Sequence, residues 1–211
     1  MKKLIHTIIF LALGYMLPLM FNPALLLDPK MLSLMLACII VFLTQPTFHV
    51  EEGLQQREAD KSSVFLILAF SVISVAFPIV EWAYFSYYTG NLIWIGLGGT
   101  FILGGVFIRV WAIQTLGKYF TATVQISDDH QLVKNGPYQI VRHPSYLGAY
   151  MVFIGSAILL EAWLGGLIAA IIMIYVYHLR ITAEEESLVK AFGKKYLDYR
   201  LHTQRLIPYL W

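Results

Sequence analysis

Six apolar runs, at 4–21, 31–44, 63–80, 92–116, 146–160 and 163–179, dominate a chain of 211 residues and are nearly free of charge. About 20 apolar residues are needed to cross a hydrocarbon core of about 30 Å. Such runs leave little choice of fold. A backbone in lipid must satisfy its own polar groups, and helices do so within each segment. The chain is 58% hydrophobic and 13% charged, against about a quarter charged for soluble domains. The sequence therefore predicts an all-α integral membrane protein. The runs at 31–44, 146–160 and 163–179 are short, so five to six transmembrane helices are expected. The first run resembles a signal peptide but lacks a small-x-small cleavage site, which favours a retained first span.

Loop charges set the expected orientation. With six spans, one side receives residues 1–3, 45–62, 117–145 and 180–211, and these hold thirteen of the fifteen basic residues. The other side holds only Lys30, and Arg109 alone lies inside a run. The positive-inside rule then makes both termini cytoplasmic. A net charge of +2 argues against a nucleic-acid partner. The single Cys38 lies in an apolar run, which excludes a disulfide framework and a cysteine zinc site.

The chain divides into membrane-anchor helices at 1–90 and a more polar core at 91–211. Small residues in "GLGGTFILGG" (96–105) and the pairs Gly165/Ala169 and Gly166/Ala170 read as close helix packing. They are not a dinucleotide fingerprint, which needs a preceding strand.

Chemistry concentrates in three places. The stretch "YQIVRHPSYLGAYMVF" (138–153) puts Pro144 where a helix starts, because a first turn does not use the missing N–H. Free N–H groups there favour an anion, and Arg142 and His143 add to that field. Ordinary anchoring of Arg142 at the membrane edge is the competing reading. The second place is "HLRITAEEESLVKAFGKKYLDYR" (178–200), where Arg180 and Glu184 share a helix face at four-residue spacing. The same tail resembles an interfacial amphipathic segment, with Lys190, Lys194, Lys195 and Arg200 on its wet side. Arg109 is the third. It lies about 12 Å inside a span, and a charge at that depth faces a cavity or a partner, a tail carboxylate being one candidate. No metal site is expected, since His130, His143 and His178 are scattered without carboxylates at ligand spacing.

"DDHQLVKNGPYQIVRHPSYLG" (128–148) and "RITAEEESLVKAFGKKYLDYRLHTQRLIP" (180–208) together resemble the isoprenylcysteine carboxyl methyltransferase family. "RVWAIQTLGKYFTATVQI" (109–126) looks like the same family's lead-in, so the resemblance covers residues 92–208. It implies an integral-membrane methyltransferase that uses S-adenosylmethionine and lacks a Rossmann domain. The cofactor pocket would be formed by the 117–145 connection, the last helical hairpin and the C-terminal tail. Carried over by motif, cofactor-binding residues would be Gln125, His130, Gln131, Leu132, Val133, Tyr138, His143, Pro144, Ser145, Tyr146 and Glu184. Arg180 matches the arginine that holds the substrate carboxylate and is the implied catalytic residue, with Arg109 a further substrate-binding candidate.

The implied acceptor is an isoprenylcysteine-like or other amphiphilic carboxylate that enters from the lipid bilayer. The short chain resembles compact prokaryotic members, for which the inner (plasma) membrane is the implied location. A lipid amine or a small thiol is then an alternative acceptor, and a non-catalytic membrane binding protein is the alternative from another class. The topology is open to direct test. A cysteine placed at Asn135 should be protected from impermeant reagent outside sealed cells, and one at Gly90 should be labelled. Labelling at 135 from outside would overturn the orientation.

Overall fold

The computed structural model describes residues 2–45, 58–85, 89–120 and 131–208. Among them are seven α-helices and no strand. They are α1 (Lys2–Leu11), α2 (Pro29–Thr44), α3 (Glu58–Tyr84), α4 (Leu92–Leu116), α5 (Pro144–Leu160), α6 (Trp163–Phe192) and α7 (Lys194–Leu201). Among the described residues, three segments are long and apolar enough to cross a membrane: Leu66–Tyr84, Leu92–Tyr119 and Trp163–Phe192. The first apolar run does not form one helix. α1 passes into a π-helical turn at Ala12–Met16 and a 3-10 turn at Leu17–Leu19, where Pro18 removes a donor. α2 and α5, at 16 and 17 residues, stay shorter than a full span.

Two cores hold the helices together. One joins α1 and α2 to α3, α4 and the end of α5 through residues such as Leu19, Met31, Leu34, Ile79, Ile102 and Leu160. The other stacks Met173, Tyr177 and Ile181 of α6 against Tyr146, Leu147 and Phe153 of α5. Leu206 of the tail is fully buried in this second core. Burying one leucine is worth about 2 kcal/mol, so the tail is bound to the hairpin and not left on the surface.

The helix ends follow from identifiable residues. α5 starts on Pro144, as the sequence predicts. It stops at Glu161, whose φ of 55° is left-handed. The Ala162 N–H then donates back to the Ala157 carbonyl, closing the turn. Donation from the backbone N–H and hydroxyl of Thr89 to the Glu161 carboxylate helps hold that turn. α6 starts two residues later, and the Glu81 carboxylate of α3 accepts from the N–H groups of Leu164 and Gly165. A carboxylate at a helix N-terminus satisfies orphan donors and complements the helix dipole. α6 ends at Gly193, where φ 53° and ψ −127° suit only glycine.

The small residues act as packing surfaces. Gly165 lies against the backbone of Phe77 and Pro78, and Gly166 lies against the Ala157 side chain. α4 and α5 meet through Gly98 and Gly105 on one side and Gly148 and Gly155 on the other. A Cβ on Gly148 would stand 2.5 Å from the Gly105 carbonyl oxygen and 2.7 Å from the Arg109 nitrogen. Gly148→Ala should therefore cost about 1–3 kcal/mol of stability. Gly99→Ala, with nothing within 4 Å of its Cβ, should be neutral or stabilising by up to about 1 kcal/mol. Thermal unfolding in detergent compares the two. Equal midpoints would remove the seam from the account of packing.

Candidate active site at the start of helix α5

The chain approaches α5 through a 3-10 turn at Gly136–Gln139 and a short non-helical stretch. That stretch pairs with the tail. The Arg142 N–H donates to the Gln204 carbonyl at 2.8 Å and the His143 N–H to the Arg205 carbonyl at 3.2 Å. The Gln204 N–H returns to the Ile140 carbonyl at 3.3 Å, making an isolated parallel bridge between Val141 and Gln204. Two segments more than 60 residues apart thus satisfy each other's backbone groups.

Glu185 of α6 lies under this bridge and is 4% exposed. Its Oε1 accepts from Arg142 Nε at 2.8 Å and faces His143 Nε2 at 3.3 Å. Its Oε2 faces Arg205 Nε at 3.5 Å and Arg200 Nη2 at 3.8 Å. A carboxylate can only accept, so this contact places a proton on His143 Nε2. Arg142 also donates to the Thr203 carbonyl. The Arg142 side chain is 8% exposed, which corrects the reading of Arg142 as a membrane-edge anchor. Snorkelling needs the head group in water, and this one is spent on a buried carboxylate.

One helical position away the arrangement is different. Arg180, 3% exposed, donates through Nε to the Tyr146 hydroxyl at 3.3 Å. That hydroxyl donates to Glu184 Oε2 at 3.2 Å. Arg180 and Glu184 therefore share a face, as their spacing predicts, with Tyr146 of α5 bridging them. The Tyr146 ring packs edge-on against Tyr177 at 5.1 Å and lies 6.0 Å from the His143 ring. Arg109 reaches the same helix start. Its Nη1 donates to the Ser145 carbonyl at 2.9 Å and to the Ser145 hydroxyl at 3.0 Å. Its partner is a residue of α5 and not a tail carboxylate.

The remaining expected site residues divide into three groups. Gln131, Leu132 and Val133 line an open cavity of about 450 Å³ with Thr115, Lys134, Asn135 and Gln139. Tyr138 is buried, donating to the Ala112 carbonyl at 3.3 Å and accepting from the Tyr199 hydroxyl on its own carbonyl at 2.5 Å. Burial raises the Tyr138 phenol, with the Glu184 charge adding to it, and burial pushes Tyr199 up to about 12. Both stay neutral hydroxyls at physiological pH. Gln125 and His130 lie outside the described residues. His143, Pro144, Ser145, Tyr146 and Glu184 come together at the start of α5, beside Arg180 and Arg109.

Sequence reasoning missed Glu185, Tyr199 and the pairing of 203–205, and it left Arg142 between the helix-start field and an anchor. A signal for Glu185 existed. Met173, Tyr177 and Ile181 recur every four residues on a buried stripe of α6, and Glu185 is the next position on it.

Fold and site together define an all-helical membrane protein with a buried, charged centre at one end of its last hairpin. Comparison with known proteins gives the relationship. Residues 94–190 match the isoprenylcysteine carboxyl methyltransferase (ICMT) family. Protein-S-isoprenylcysteine O-methyltransferase B of Arabidopsis thaliana is 33% identical over 56% of this chain and 61% of its own length. The Dictyostelium discoideum protein-S-isoprenylcysteine O-methyltransferase is 35% identical over 61% of this chain and 55% of its own. A solved structure of the eukaryotic intramembrane Ras methyltransferase ICMT aligns with a TM-score of 0.63 and 25% identity, covering 96% of this chain and 73% of that one. The chain is thus similar to the isoprenylcysteine carboxyl methyltransferase family, in sequence over just under half of its length and in fold over nearly all of it. It spans 55–61% of the length of these two curated relatives.

Arg142→Leu should lower stability by about 3 kcal/mol, because it strips a charged partner from a buried carboxylate. Arg200→Gln, at a side chain 43% exposed, should cost well under about 1 kcal/mol. Unfolding midpoints in one detergent decide the comparison. An unchanged midpoint for Arg142→Leu would return Arg142 to an anchoring role.

Proposed function

We propose that this chain is a membrane-embedded S-adenosylmethionine-dependent methyltransferase. Its acceptor is the carboxylate of an isoprenylcysteine-like or other amphiphilic acid. One observation carries the reading: Arg180 and Glu184 are joined through the Tyr146 hydroxyl at the start of α5. A cation for an acidic acceptor and an anion for a cationic donor are thereby held side by side. The names of the related proteins supply the reaction class.

The residues present fit the cofactor. The cavity of about 450 Å³ falls in the range of small-molecule sites, about 300–1,000 Å³. Gln131, Asn135, Gln139 and Thr115 offer amide and hydroxyl groups, and Leu132 and Val133 offer apolar surface. Glu184 would accept from hydroxyl or amine groups, while His143, Pro144, Ser145 and Tyr146 present the helix start. Bound there, S-adenosylmethionine supplies a methyl group activated on a sulfonium sulfur.

An acceptor carboxylate is ionised at neutral pH, so the chain needs no general base. Its task is to orient and to exclude water, and positioning of this kind is worth about 7–11 kcal/mol. Arg180 holds the carboxylate through its planar guanidinium, and Tyr146 fixes the rotation of that group at Nε. Arg109 stands deeper along α4 as a second cation toward an acid arriving through lipid. The loop charges support a cofactor entrance on the cytosolic side, with the acceptor entering from the bilayer.

Arg180→Lys tests this. Lysine keeps the charge and loses the two-pronged fork. Cofactor affinity, read by calorimetry in detergent, should stay near wild type. Methylation of an S-isoprenylcysteine carboxylate at saturating cofactor should fall about 100-fold, the scale of a small misplacement of reacting groups. Turnover above half of wild type would move the carboxylate contact off Arg180. Absence of cofactor binding by the wild-type protein would overturn the reading itself.

A further inference from the structure

The reading above uses Glu184 and leaves its neighbour without a role, yet Glu185 has the denser set of contacts. It is 4% exposed. It draws Arg142 and His143 onto one oxygen and Arg200 and Arg205 onto the other. These four residues come from two segments, the approach to α5 and the tail, and Glu185 itself belongs to a third. The backbone bridge between Val141 and Gln204 lies over it. Thr203, also buried, donates its hydroxyl to the Tyr199 carbonyl, and its own carbonyl accepts from Arg142.

Buried charge of this kind stabilises little on balance, because desolvation offsets most of the attraction. What it does provide is a unique arrangement. His143 is the residue from which α5 starts, and it has no side-chain cap on the helix. Its ring is oriented by Glu185 instead. If that carboxylate lost its charge, Arg142 and Arg205 would be left facing each other across a buried space. The bridge carrying 141–143 and 203–205 would then open, and the first turn of α5 would lose its fixed approach.

We propose that Glu185 is the positioning residue of the site. Its carboxylate latches the tail at 203–205 onto the approach at 141–143 and so sets His143 and the start of α5 for cofactor binding. The proposal rests on the function proposed above. It assigns to Glu185 no contact with cofactor or acceptor; Glu185 acts through His143 and Arg142.

The test uses the full chain in detergent and two readouts. Hydrogen exchange without cofactor reads the latch at the amides of Arg142 and His143, which donate to Gln204 and Arg205. Calorimetry with S-adenosylmethionine reads the site. Glu185→Gln, of nearly equal size, should speed exchange at both amides. It should also weaken cofactor affinity about tenfold, the equivalent of one charge-assisted hydrogen bond. Turnover at saturating cofactor should stay within about twofold, since the reacting groups are untouched. Glu185→Asp, which keeps the charge, should recover most of the affinity.

If Glu185→Gln fails to fold, Arg205→Gln is read instead. It removes one tail cation and leaves Arg142 and His143 on the carboxylate, so faster exchange and weaker binding should appear together and to a smaller degree. Faster exchange with unchanged affinity would overturn the proposal, leaving Glu185 a stabiliser of the tail. Weaker affinity with unchanged exchange would overturn it in the other direction, making Glu185 a direct contact. Failure of the wild-type protein to bind the cofactor would sink the proposed function and is separated from the latch by the exchange data.

Discussion

The carboxylate of Glu185 meets three arginines and a histidine at the end of a helix that is otherwise apolar for most of its length. No other arrangement in the described structure joins so many separate segments. Each partner alone would be an ordinary surface charge. Gathered on one buried acceptor they become a junction, because loss of the buried Arg142 would leave the carboxylate unbalanced in a dry interior. The chain therefore has little freedom in how it enters α5 or where its tail lies. The pairing of 203–205 with 141–143 and the burial of Leu206 act in the same direction. Backbone bonds, an ionic centre and an apolar contact close the same gap.

The seam between α4 and α5 fixes the other side of the site. Glycines let the two backbones approach until a methyl group has no room. That closeness brings Arg109 within reach of the Ser145 carbonyl and hydroxyl. A guanidinium inside an apolar helix is costly unless it finds acceptors, and the start of α5 supplies them. The position of one helix N-terminus is thus determined twice, by a packed seam on one face and by a charged junction on the other. Tyr146 projects from that helix start between Arg180 and Glu184, so its hydroxyl is aimed by contacts that it does not itself make.

Much of this was legible in the sequence where a local rule decided it. Pro144 announced the start of α5. The four-residue pairs Gly165/Ala169 and Gly166/Ala170 announced close helix packing. Arg180 and Glu184 announced a shared face. The charged junction was not legible in the same way. Glu184, Glu185 and Glu186 are consecutive, and which of them turns inward depends on the rotation of α6 against α5 and the tail. Spacing from Arg180 pointed to Glu184, whereas the buried stripe Met173–Tyr177–Ile181 pointed to Glu185, and both faces turn out to be used. The bridge of Val141 to Gln204 has no periodic signal at all, since a two-residue backbone contact leaves no pattern in side chains. Arg142 was left between two readings for a related reason. Next to an apolar run it looks like an anchor, and its burial depends on a partner 43 residues away.

The length of α6 explains why these charges sit where they do. The helix has 30 residues, or about 45 Å at 1.5 Å each, which exceeds a hydrocarbon core of about 30 Å. Its first turn is tied by the Glu81 carboxylate, a charged group that belongs at one membrane surface. About 20 residues from there complete the crossing, which brings the opposite surface near Thr182. Arg180 then lies just inside that boundary, and Glu184 and Glu185 lie just beyond it. On the proposed function, a guanidinium at that depth meets an acid arriving through lipid. Glu184, one turn further on, stands at the level of the aqueous side, while Glu185 beside it is enclosed by its own cations. Thr182 itself accepts from Arg205 Nη2 at 2.7 Å, so the tail crosses α6 at the same level. The ordering along a single helix, cation before anions in the direction of the crossing, follows from membrane thickness and helix pitch.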